Sequence, residues 1–379
     1  MTRVGVNALY LIPGGVGGTE IYLRELLAAL ARIDTKNEYF VFSNFETGAD
    51  LVPKQANFQW KPQAVHARNR VARILWEQIA LPIEASRYRL DVMFNPGFTA
   101  PVLAPCACVT VFHDLQHKRH PEYFRWFDRP FWRLLLWAAA RRSRTLIAVS
   151  NATRDDLAMY YPFAKDRVKV IHHGVDAAFF ALNRGASAER IERFVLCVST
   201  LHPHKNLDRL IRAYARKKRD YTLTLAGMRG FHARAIEALI AELGCADTHL
   251  SRASVKLTGW IPREELLRLY DRAVAFVYPS TFEGFGMPVL EAMAAGIPVA
   301  CSAISPLEEV ARSSTGDAVL FFDPLDEDAI ADALDRITWD EALRRELEIA
   351  GPRRAREFSW DRTAQLTAEE ILDASADRG

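Results

Sequence analysis

Short apolar segments of strand composition alternate with longer segments of helical periodicity along this chain of 379 residues, and the alternation occurs in two series. The first series opens with a predicted strand over 4–9, a glycine-rich loop over 13–19 and a predicted helix over 20–33. Apolar side chains in that helix recur at the spacing of one helical face. Because alternating strands and helices build a mostly parallel sheet covered on both faces, the sequence predicts an α/β fold.

The two series predict two doubly wound domains rather than one. Strands of the first series are predicted over 4–9, 38–43, 92–95, 108–112, 145–149 and 168–172. Strands of the second series are predicted over 194–198, 222–226, 255–257, 275–278 and 299–302. The pattern weakens over 177–192, which we interpret as a linker. We therefore predict a first domain over 1–180 and a second over 190–357, followed by a helical C-terminus.

Charge and cysteine usage narrow the class of protein. The net charge is +2, but residues 1–180 carry 23 Lys/Arg against 16 Asp/Glu, whereas 181–379 carry 26 against 31. This asymmetry suggests that the first half meets an anionic partner, although no nucleic-acid partner is expected. Five cysteines without a Cys-x-x-Cys pair, no signal peptide and no run of 18 apolar residues predict a cytoplasmic protein with reduced cysteines.

The segment from Glu283 to Glu291 is the most informative motif for function. It holds two carboxylates, with Gly284, Gly286 and Pro288 between them, so its first half cannot be ordinary helix. The residues that follow have helical composition. Such a loop delivers backbone N–H groups to a helix N-terminus, where anions bind, and the carboxylates can accept hydrogen bonds from hydroxyls. The segment therefore predicts a site for a ligand with phosphates and hydroxyls, such as a nucleotide-sugar.

Three further motifs lie after predicted strands and are candidates for the same chemistry. Gly17 and Gly18 open the first predicted helix, where glycines allow close backbone approach to an anion. Lys205 lies in a strand-to-helix loop from which its ammonium can reach a phosphate, although a solvated surface charge is the alternative. Thr258 and Gly259 are a candidate floor for a nucleobase, and a simple turn is the alternative there.

Two sets of residues raise the question of a metal. His113 ends a predicted strand, a position suited to chemistry, and His117 and His120 follow it at a spacing that admits a metal site. The acidic run 326–328 resembles an Asp-x-Asp signature that holds a metal and a diphosphate. Acidic residues in the first turn of a helix complement its dipole, and we favour that interpretation. No metal and no other cofactor is expected.

A basic and aromatic segment over 125–144 allows two interpretations. It combines aromatic residues such as Trp126, Phe131 and Trp137 with six arginines. Basic residues beside exposed aromatic residues suit an anionic surface, which predicts peripheral contact with the inner face of the cell membrane. A half-buried domain helix that begins near Pro130 explains the same residues, and both interpretations stay open at this point.

In combination, these motifs resemble the GT-B-fold retaining glycosyltransferases of family four, also called the glycosyltransferase group 1 family. The strongest likeness spans 278–299. Weaker likenesses lie at Gly17-Gly18-x-Glu20, 149–153, 171–176, 203–206 and 358–360. The resemblance implies two Rossmann-like doubly wound domains facing across a cleft, with a last helix over about 358–379 crossing back to the first domain.

The resemblance also implies an activity, the transfer of a sugar from a nucleotide-sugar donor with retention of anomeric configuration and without a metal. In the second domain, Glu283 would bind hydroxyls of the donor sugar, Glu291 would bind the ribose hydroxyls, and Lys205 would neutralise the diphosphate. Backbone N–H groups facing the sugar or phosphates would come from Phe285, Gly286 and Met287. In the first domain, Gly18 would meet the distal phosphate across the cleft and His113 would sit beside the sugar, near the reaction centre.

This chain departs from the family pattern at the phosphate site. The family often has an arginine a few residues before the lysine, and this stretch reads Ser199-Thr200-Leu201. Related bacterial members have an arginine directly before the lysine, where this chain has His204. His204 or His202 can replace that charge, with a dependence on pH.

The resemblance also gives expectations for the donor and the acceptor, and it leaves rival functions to be considered. The chain resembles bacterial mannosyltransferases and related transferases of cell-surface polysaccharide assembly, and this resemblance implies GDP-mannose as donor, with a UDP-sugar as the alternative. The expected acceptor is a glycan or lipid-linked glycan in cell-surface polysaccharide assembly. A nucleotide-sugar epimerase or a phosphorylase of the same architecture is one rival, and a catalytically silent scaffold is another.

Overall fold

The computed structural model describes the chain except residues 16, 125, 127, 128, 184–193, 218, 247–253, 315 and 377–379. It comprises two compact units, of which unit 1 contains Met1–Gly174 and Ser359–Gly379 and unit 2 contains Val175–Phe358. Most of the predicted linker over 177–192 lies outside the described residues. Its described part begins with a short helix, α6 (Ala177–Phe180), which Asp176 caps by accepting a hydrogen bond from the Ala178 N–H.

Unit 1 is built on a seven-stranded sheet in the order β3-β2-β1-β4-β5-β6-β7, and each pair of neighbours is parallel. The strands are β1 (Arg3–Ala8), β2 (Glu38–Ser43), β3 (Phe58–Pro62), β4 (Val92–Asn95), β5 (Ala107–Phe112), β6 (Thr145–Ala148) and β7 (Val168–Val170). The central strands are buried along nearly their whole length, as their continuous apolar runs predict. The edge strand β3, which the sequence prediction missed, alternates between buried and exposed side chains.

The helices of unit 1 cover this sheet. They are α1 (Gly18–Ile33), α2 (Arg70–Arg87), α3 (Gln116–Arg119), α4 (Arg129–Arg142), α5 (Asn151–Tyr160) and the C-terminal α14 (Trp360–Ala376). Side-chain caps start two of them, because Asn69 accepts from the Ala72 N–H and Ser150 from the Thr153 N–H. Helix α14 packs along α1, and Gly174 permits this path because a Cβ there would lie 2.2 Å from the Trp360 backbone nitrogen.

Unit 2 repeats the plan with a six-stranded parallel sheet in the order β10-β9-β8-β11-β12-β15. Its strands are β8 (Phe194–Val198), β9 (Thr222–Ala226), β10 (Val255–Gly259), β11 (Ala275–Tyr278), β12 (Val299–Ser302) and β15 (Leu320–Phe322), with a separate short hairpin of β13 (Arg312–Ser313) and β14 (Gly316–Asp317). Its further helices are α7 (Leu207–Ala215), α8 (Ala233–Glu242), α9 (Arg263–Arg272), α10 (Met287–Ala294), α11 (Ser305–Ala311), α12 (Glu327–Trp339) and α13 (Glu341–Ala355). The predicted α/β fold with two doubly wound sheets is confirmed.

Candidate active site

The predicted site residues of unit 2 follow the carboxyl ends of its strands. Lys205 follows β8, Gly259 ends β10, and Glu283 follows β11. Strand order reverses between β8 and β11, because the chain runs outwards from this pair in both directions. In open α/β sheets, ligands bind at the carboxyl ends of the strands beside such a reversal.

Lys205 and Glu283 form an ion pair at the carboxyl ends of these strands. The Lys205 Nζ lies 2.6 Å from Glu283 Oε1 and donates a second hydrogen bond to the Tyr278 hydroxyl at 2.9 Å. Their side chains are 15% and 11% exposed, so water screens the pair only weakly. Burial raises the pKa of Glu283, but the Lys205 ammonium, the charge of His204 and the hydrogen bonds that the carboxylate accepts together outweigh this effect, and the net shift lowers the pKa below its ordinary value. Glu283 is therefore ionised at neutral pH and acts as a hydrogen-bond acceptor.

Two loops are tied together so that this pair is held in place. Asn206 adopts a left-handed conformation with φ of 56°, and its amide donates to the backbone oxygens of Pro279 and Pro324. The backbone oxygen of His204 accepts from the Thr281 N–H at 2.8 Å and from the Ser280 hydroxyl at 3.0 Å. The loop that carries Lys205 and the loop that carries Glu283 are thereby fastened at several points.

Glu291 lies on α10 in a different electrostatic environment. Its Oε2 accepts a hydrogen bond from the Tyr270 hydroxyl at 2.9 Å. Burial raises the pKa of Glu291 to about 7, and the Tyr270 hydrogen bond and the charge of Arg263 only partly offset this effect. Glu291 therefore changes its protonation state near neutral pH, unlike Glu283. It can accept hydrogen bonds from two hydroxyls only when it is ionised.

The start of α10 has the geometry of an anion-binding turn. Gly286 precedes the helix with φ of 111°, a conformation that favours glycine, and a Cβ there would lie 2.4 Å from the buried Leu307 side chain. The helix then begins at Met287, and the first N–H groups of a helix have no partner within it. The Phe285 ring is buried and packs against Phe358, so only the Phe285 backbone is suited to ligand contact.

Thr258 and Gly259 lie at the end of β10 rather than in a turn after it. The Thr258 hydroxyl donates to the Gly259 oxygen, and this oxygen also accepts from the Gly227 N–H at 3.2 Å. A Cβ on Gly227 would lie 2.1 Å from the Ser199 oxygen. The loops after β8, β9 and β10 thus approach one another closely. Trp260 follows them with its side chain 61% exposed.

His202 and His204 lie beside Lys205. The sequence predicts that one of them replaces the arginine that this chain lacks. Their rings stack at 5.9 Å, and His202 also packs against Phe231. Burial, with the charge of Lys205, lowers the pKa of His202, so His202 is neutral at pH 7. The charge of His204 acts on Glu283. His204 is therefore the better placed of the two to contribute a positive charge.

In unit 1, Gly17 and Gly18 form the turn that starts α1. Gly17 has φ of 60° and ψ of −131°, and no atom lies within 4 Å of the position that a Cβ would occupy. The Gly17 oxygen accepts the N–H of Glu20, whose carboxylate in turn accepts the Gly14 N–H at 2.7 Å. The turn therefore requires glycine for its conformation and leaves open space above its backbone.

His113 follows β5 and is enclosed by aromatic rings. Its Nε2 donates to the Pro96 oxygen at 2.8 Å, which fixes the neutral tautomer and leaves Nδ1 as an acceptor. The rings of Tyr22, Phe98 and His173 lie 4.9, 5.2 and 5.5 Å from the His113 ring. Burial lowers the pKa of His113 to about 4, so the imidazole is neutral at pH 7.

Next to His113 lies a buried polar network that the sequence patterns did not predict. Glu77 of α2 accepts from the Asn7 amide at 3.1 Å and from the Thr99 hydroxyl at 2.8 Å, and Asn7 also donates to Asn95 at 3.2 Å. Asn7 and Asn95 lie near the carboxyl ends of β1 and β4, where the strand order of unit 1 reverses. The network orders the loop that carries the Pro96 oxygen. Its signal was present as single asparagines in otherwise apolar strands.

Tyr278 and Tyr270 are two further site residues that the sequence patterns did not predict. Tyr278 contacts Lys205 and Tyr270 contacts Glu291. Tyr278 is the last residue of β11, and a polar side chain at the end of a strand is the signal that identified His113.

The residues considered for a metal have other partners. Asp326 caps α12 by accepting from the N–H groups of Asp328 and Ala329, in agreement with the helix interpretation of the acidic run. His117 hydrogen-bonds with the Tyr161 hydroxyl, and His120 with Glu122. In the described part of the chain, no group of three or more His, Cys, Asp or Glu side chains is arranged to hold a metal ion.

Comparison with known proteins gives two family matches that together span most of the chain. Residues 183–354 match the model of the glycosyl transferases group 1, and residues 16–179 match that of glycosyltransferase family 4. The chain is 28% identical to O-antigen chain mannosyltransferase B of Escherichia coli over an alignment of 298 positions, which covers 75% of each protein. It is 31% identical to the serotype-specific mannosyltransferase WbdA of Escherichia coli over 80% of this chain, but it spans only 39% of that longer protein.

Solved structures support the same fold. Anabaena HepE in complex with UDP-glucose superposes with a TM-score of 0.73 at 20% identity, over 98% of this chain and 100% of that one. The structural neighbours are GT-B glycosyltransferases, and the two sheets agree with that architecture. The chain therefore belongs to the group 1 glycosyltransferases of family four, and it is a glycosyltransferase of the GT-B fold.

Proposed function

We propose that this protein is a retaining, metal-independent glycosyltransferase whose unit 2 binds a nucleotide-sugar. The observation that carries the proposal is the Lys205–Glu283 pair beside the start of α10, with Glu291 eight positions further along the same segment. A cation, a carboxylate and a helix N-terminus, brought together by two neighbouring loops, match the phosphates and hydroxyls of such a donor.

Each residue of unit 2 has a proposed role in donor binding. Lys205 neutralises the diphosphate, and the backbone N–H groups near Met287 face the sugar or phosphates. Glu283, ionised and held by Lys205, accepts hydrogen bonds from hydroxyls of the donor sugar. Glu291 accepts from the ribose hydroxyls, and Thr258 with Gly259 supports the nucleobase.

We propose that the charge built on the leaving diphosphate is stabilised by protein groups alone. Cleavage of the bond between the anomeric carbon and the phosphate oxygen places negative charge on the diphosphate, where Lys205 and helix N-termini act. Unit 1 contributes the Gly17–Gly18 turn at the distal phosphate and His113 beside the sugar. His113 is neutral at pH 7, its Nε2–H is donated to the Pro96 oxygen, and a pKa of about 4 makes its Nδ1 a weak base, so we assign it to positioning the sugar rather than to proton transfer.

Retention is proposed to follow a same-face reaction. A double displacement requires a carboxylate nucleophile close to the anomeric carbon. Glu283 is paired with a cation and Glu291 is assigned to the ribose, so neither serves as that nucleophile. The acceptor hydroxyl attacks the anomeric carbon from the side on which the diphosphate leaves, and its proton passes to the departing phosphate oxygen.

The named relatives suggest the donor and the acceptor. Because the relatives include bacterial O-antigen mannosyltransferases, we propose GDP-mannose as donor and a glycan or lipid-linked glycan as acceptor, at the inner face of the cell membrane. A UDP-sugar is the second candidate, since HepE was solved with UDP-glucose.

A thermal-shift panel of nucleoside diphosphates and nucleotide-sugars in the presence of EDTA tests the proposal, because a ligand that binds the folded state raises its apparent stability. We expect one base to raise the midpoint with EDTA present, and the anomeric configuration of the product, read by NMR, to match that of the donor. Stabilisation that requires Mn²⁺, or an inverted product, would contradict the proposal. Conversion of the nucleotide-sugar without an acceptor would favour an epimerase.

A further inference from the structure

The solvent-facing side of α2 is aliphatic. Val71, Leu75, Ile79 and Ile83 recur every fourth residue and are 66%, 55%, 62% and 63% exposed. The opposite side of the helix supplies the buried residues Ile74, Glu77, Leu81 and Ala85. A helix with apolar side chains on its buried side and again on its exposed side presents a surface suited to a partner.

Helix α4 presents a related surface. Its exposed residues include Phe131, Leu134 and Trp137, which are 40%, 61% and 46% exposed, together with the exposed Arg133 and Arg141. The helix contains no acidic residue, whereas Leu136, Ala139 and Ala140 on its other side are buried. The interpretation of this segment as a half-buried helix is therefore confirmed, since one side of α4 packs into unit 1, and the other side exposes the aromatic and basic groups.

The two surfaces are continuous. The Arg70 guanidinium of α2 lies 4.2 Å from the centre of the Trp132 ring of α4. Between the helices, the Val102 N–H donates to the Gln78 side chain of α2 at 2.9 Å, and the Val102 oxygen accepts from Arg142 of α4 at 3.1 Å. Leu103, which is 76% exposed, extends the apolar area in this loop.

We propose that this face, formed by the outward sides of α2 and α4 and by Val102–Leu103, docks unit 1 on an anionic lipid bilayer. The aliphatic row of α2 enters the boundary between headgroups and acyl chains, and the arginines of α4 bind lipid phosphates. Trp137 suits the same boundary because its ring is apolar and its N–H is polar. In the part of the chain that the structure describes, no helix has the length and apolar character needed to cross a bilayer.

The charge of the face argues against a second copy of the chain as its occupant. In a two-fold symmetric dimer, the same patch meets itself, so the arginines of α4 would approach their equivalents. The helix holds four arginines and no carboxylate to pair with them. An anionic bilayer supplies the missing negative charge over the whole face. The inference rests on the proposed function in one respect, since a lipid surface is where an enzyme with a lipid-linked acceptor meets that acceptor.

Co-sedimentation of the full chain with vesicles tests the inference without donor or acceptor. We expect binding to vesicles of phosphatidylglycerol and phosphatidylcholine, and little binding to phosphatidylcholine alone. Leu75→Gln/Ile79→Gln retains helix propensity and should lower the partition coefficient by at least about tenfold. The matched control is Met159→Gln/Ile349→Gln, which changes helical side chains that are 62% and 63% exposed elsewhere and should leave binding unchanged.

A charge variant tests the other half of the face. Arg133→Gln/Arg141→Gln should weaken binding to anionic vesicles, and added salt should weaken wild-type binding in the same way. Arg268→Gln/Arg345→Gln, at exposed arginines of unit 2, is the control. Three vesicle results would overturn the inference: equal binding to both vesicle types, no binding to either, or a control variant that loses as much binding as the test variant. A wild-type dimer that only Leu75→Gln/Ile79→Gln dissociates would also overturn it, because the face would then bind a second copy of the chain. Donor-induced thermal shifts should persist in every variant, which separates failure of this inference from failure of the proposed function.

Discussion

The carboxyl ends of the strands carry charged side chains in unit 2 and neutral groups in unit 1. In unit 2, Lys205 and Glu283 form an ion pair and Glu291 titrates near neutrality. In unit 1, His113 is held neutral among aromatic rings, and the Gly17–Gly18 turn offers only backbone. The same doubly wound plan therefore carries charged groups in one unit and neutral groups in the other.

This difference agrees with a division of work between binding and positioning. Charged groups hold phosphates and hydroxyls strongly, and their removal should affect donor affinity. A neutral imidazole with a fixed tautomer contributes less to affinity, and its removal should affect the orientation of the reacting sugar. Substitutions in the two units should therefore separate loss of donor affinity from loss of turnover.

Removal of the cation in unit 2 should have the largest effect. Lys205→Met leaves Glu283 with little solvent and without its ammonium partner, which should lower the free energy of unfolding of unit 2 by about 3 kcal/mol and abolish measurable donor binding. Urea unfolding and calorimetric titration measure the two quantities. The double variant Lys205→Met/Glu283→Gln should regain stability but not donor binding. If the double variant binds donor normally, the pair has only a structural role.

The neutral imidazole of unit 1 should make stability depend on pH. Because burial lowers the pKa of His113 from 6.5 to about 4, the unfolded chain binds more protons than the native chain between these values. The contribution to stability is therefore full above about pH 6.5 and is lost as pH falls towards 4, by about 3 kcal/mol in total. His113→Asn, which keeps a donor for the Pro96 oxygen, should remove this contribution from the dependence measured by urea unfolding, while His117 and His173, whose pKa values burial also lowers, keep the remainder. An unchanged slope would show that His113 does not titrate in this way.

The two glycines that precede helices α1 and α10 allow a matched comparison. Gly286→Ala introduces both an unfavourable φ and a contact with the buried Leu307, and should cost about 2–3 kcal/mol of stability. Gly17→Ala has an unfavourable φ but open space around the new Cβ, and should cost about 1 kcal/mol. Thermal unfolding of both variants measures the difference. Equal costs would mean that Leu307 moves aside freely.

The smallest effect is expected for the ribose carboxylate. Glu291→Gln removes one charged acceptor and should weaken donor binding by about 0.5–1.5 kcal/mol for each lost hydrogen bond. Since the pKa of Glu291 is about 7, wild-type affinity should rise as pH increases through 7, and the variant should lose this dependence. Calorimetric titration at several pH values measures both. Identical pH profiles in the two proteins would remove Glu291 from the ribose site.

The sequence predicted the sheets well where strands are buried, because such strands read as continuous apolar runs. It missed β3, which is half-exposed at the sheet edge, and β15, which has only three residues. The site was predicted as a set of separate residues. The ion pair joins Lys205 and Glu283 across 78 positions of sequence, a distance over which no local pattern reports contact.

The aliphatic row of α2 shows a further limit of sequence patterns. Apolar residues at helical spacing predict a buried side, but α2 is apolar on part of both sides. The packing of Glu77 into its polar network, together with the burial of Ile74, Leu81 and Ala85, shows which side faces inwards. The outward row at Val71 and Leu75 therefore became visible only in the structure.

One measurement tests the division between the two units most directly. Donor affinity and turnover are determined in EDTA for the wild type, Glu291→Gln and His113→Asn, with affinity measured by calorimetric titration of the intact nucleotide-sugar. We predict that Glu291→Gln weakens affinity, whereas His113→Asn keeps affinity within about twofold and lowers turnover by about 10²-fold, the cost of a misplaced reacting group. A His113→Asn protein that loses affinity as Glu291→Gln does, while the bound donor still turns over at the wild-type rate, would contradict the account.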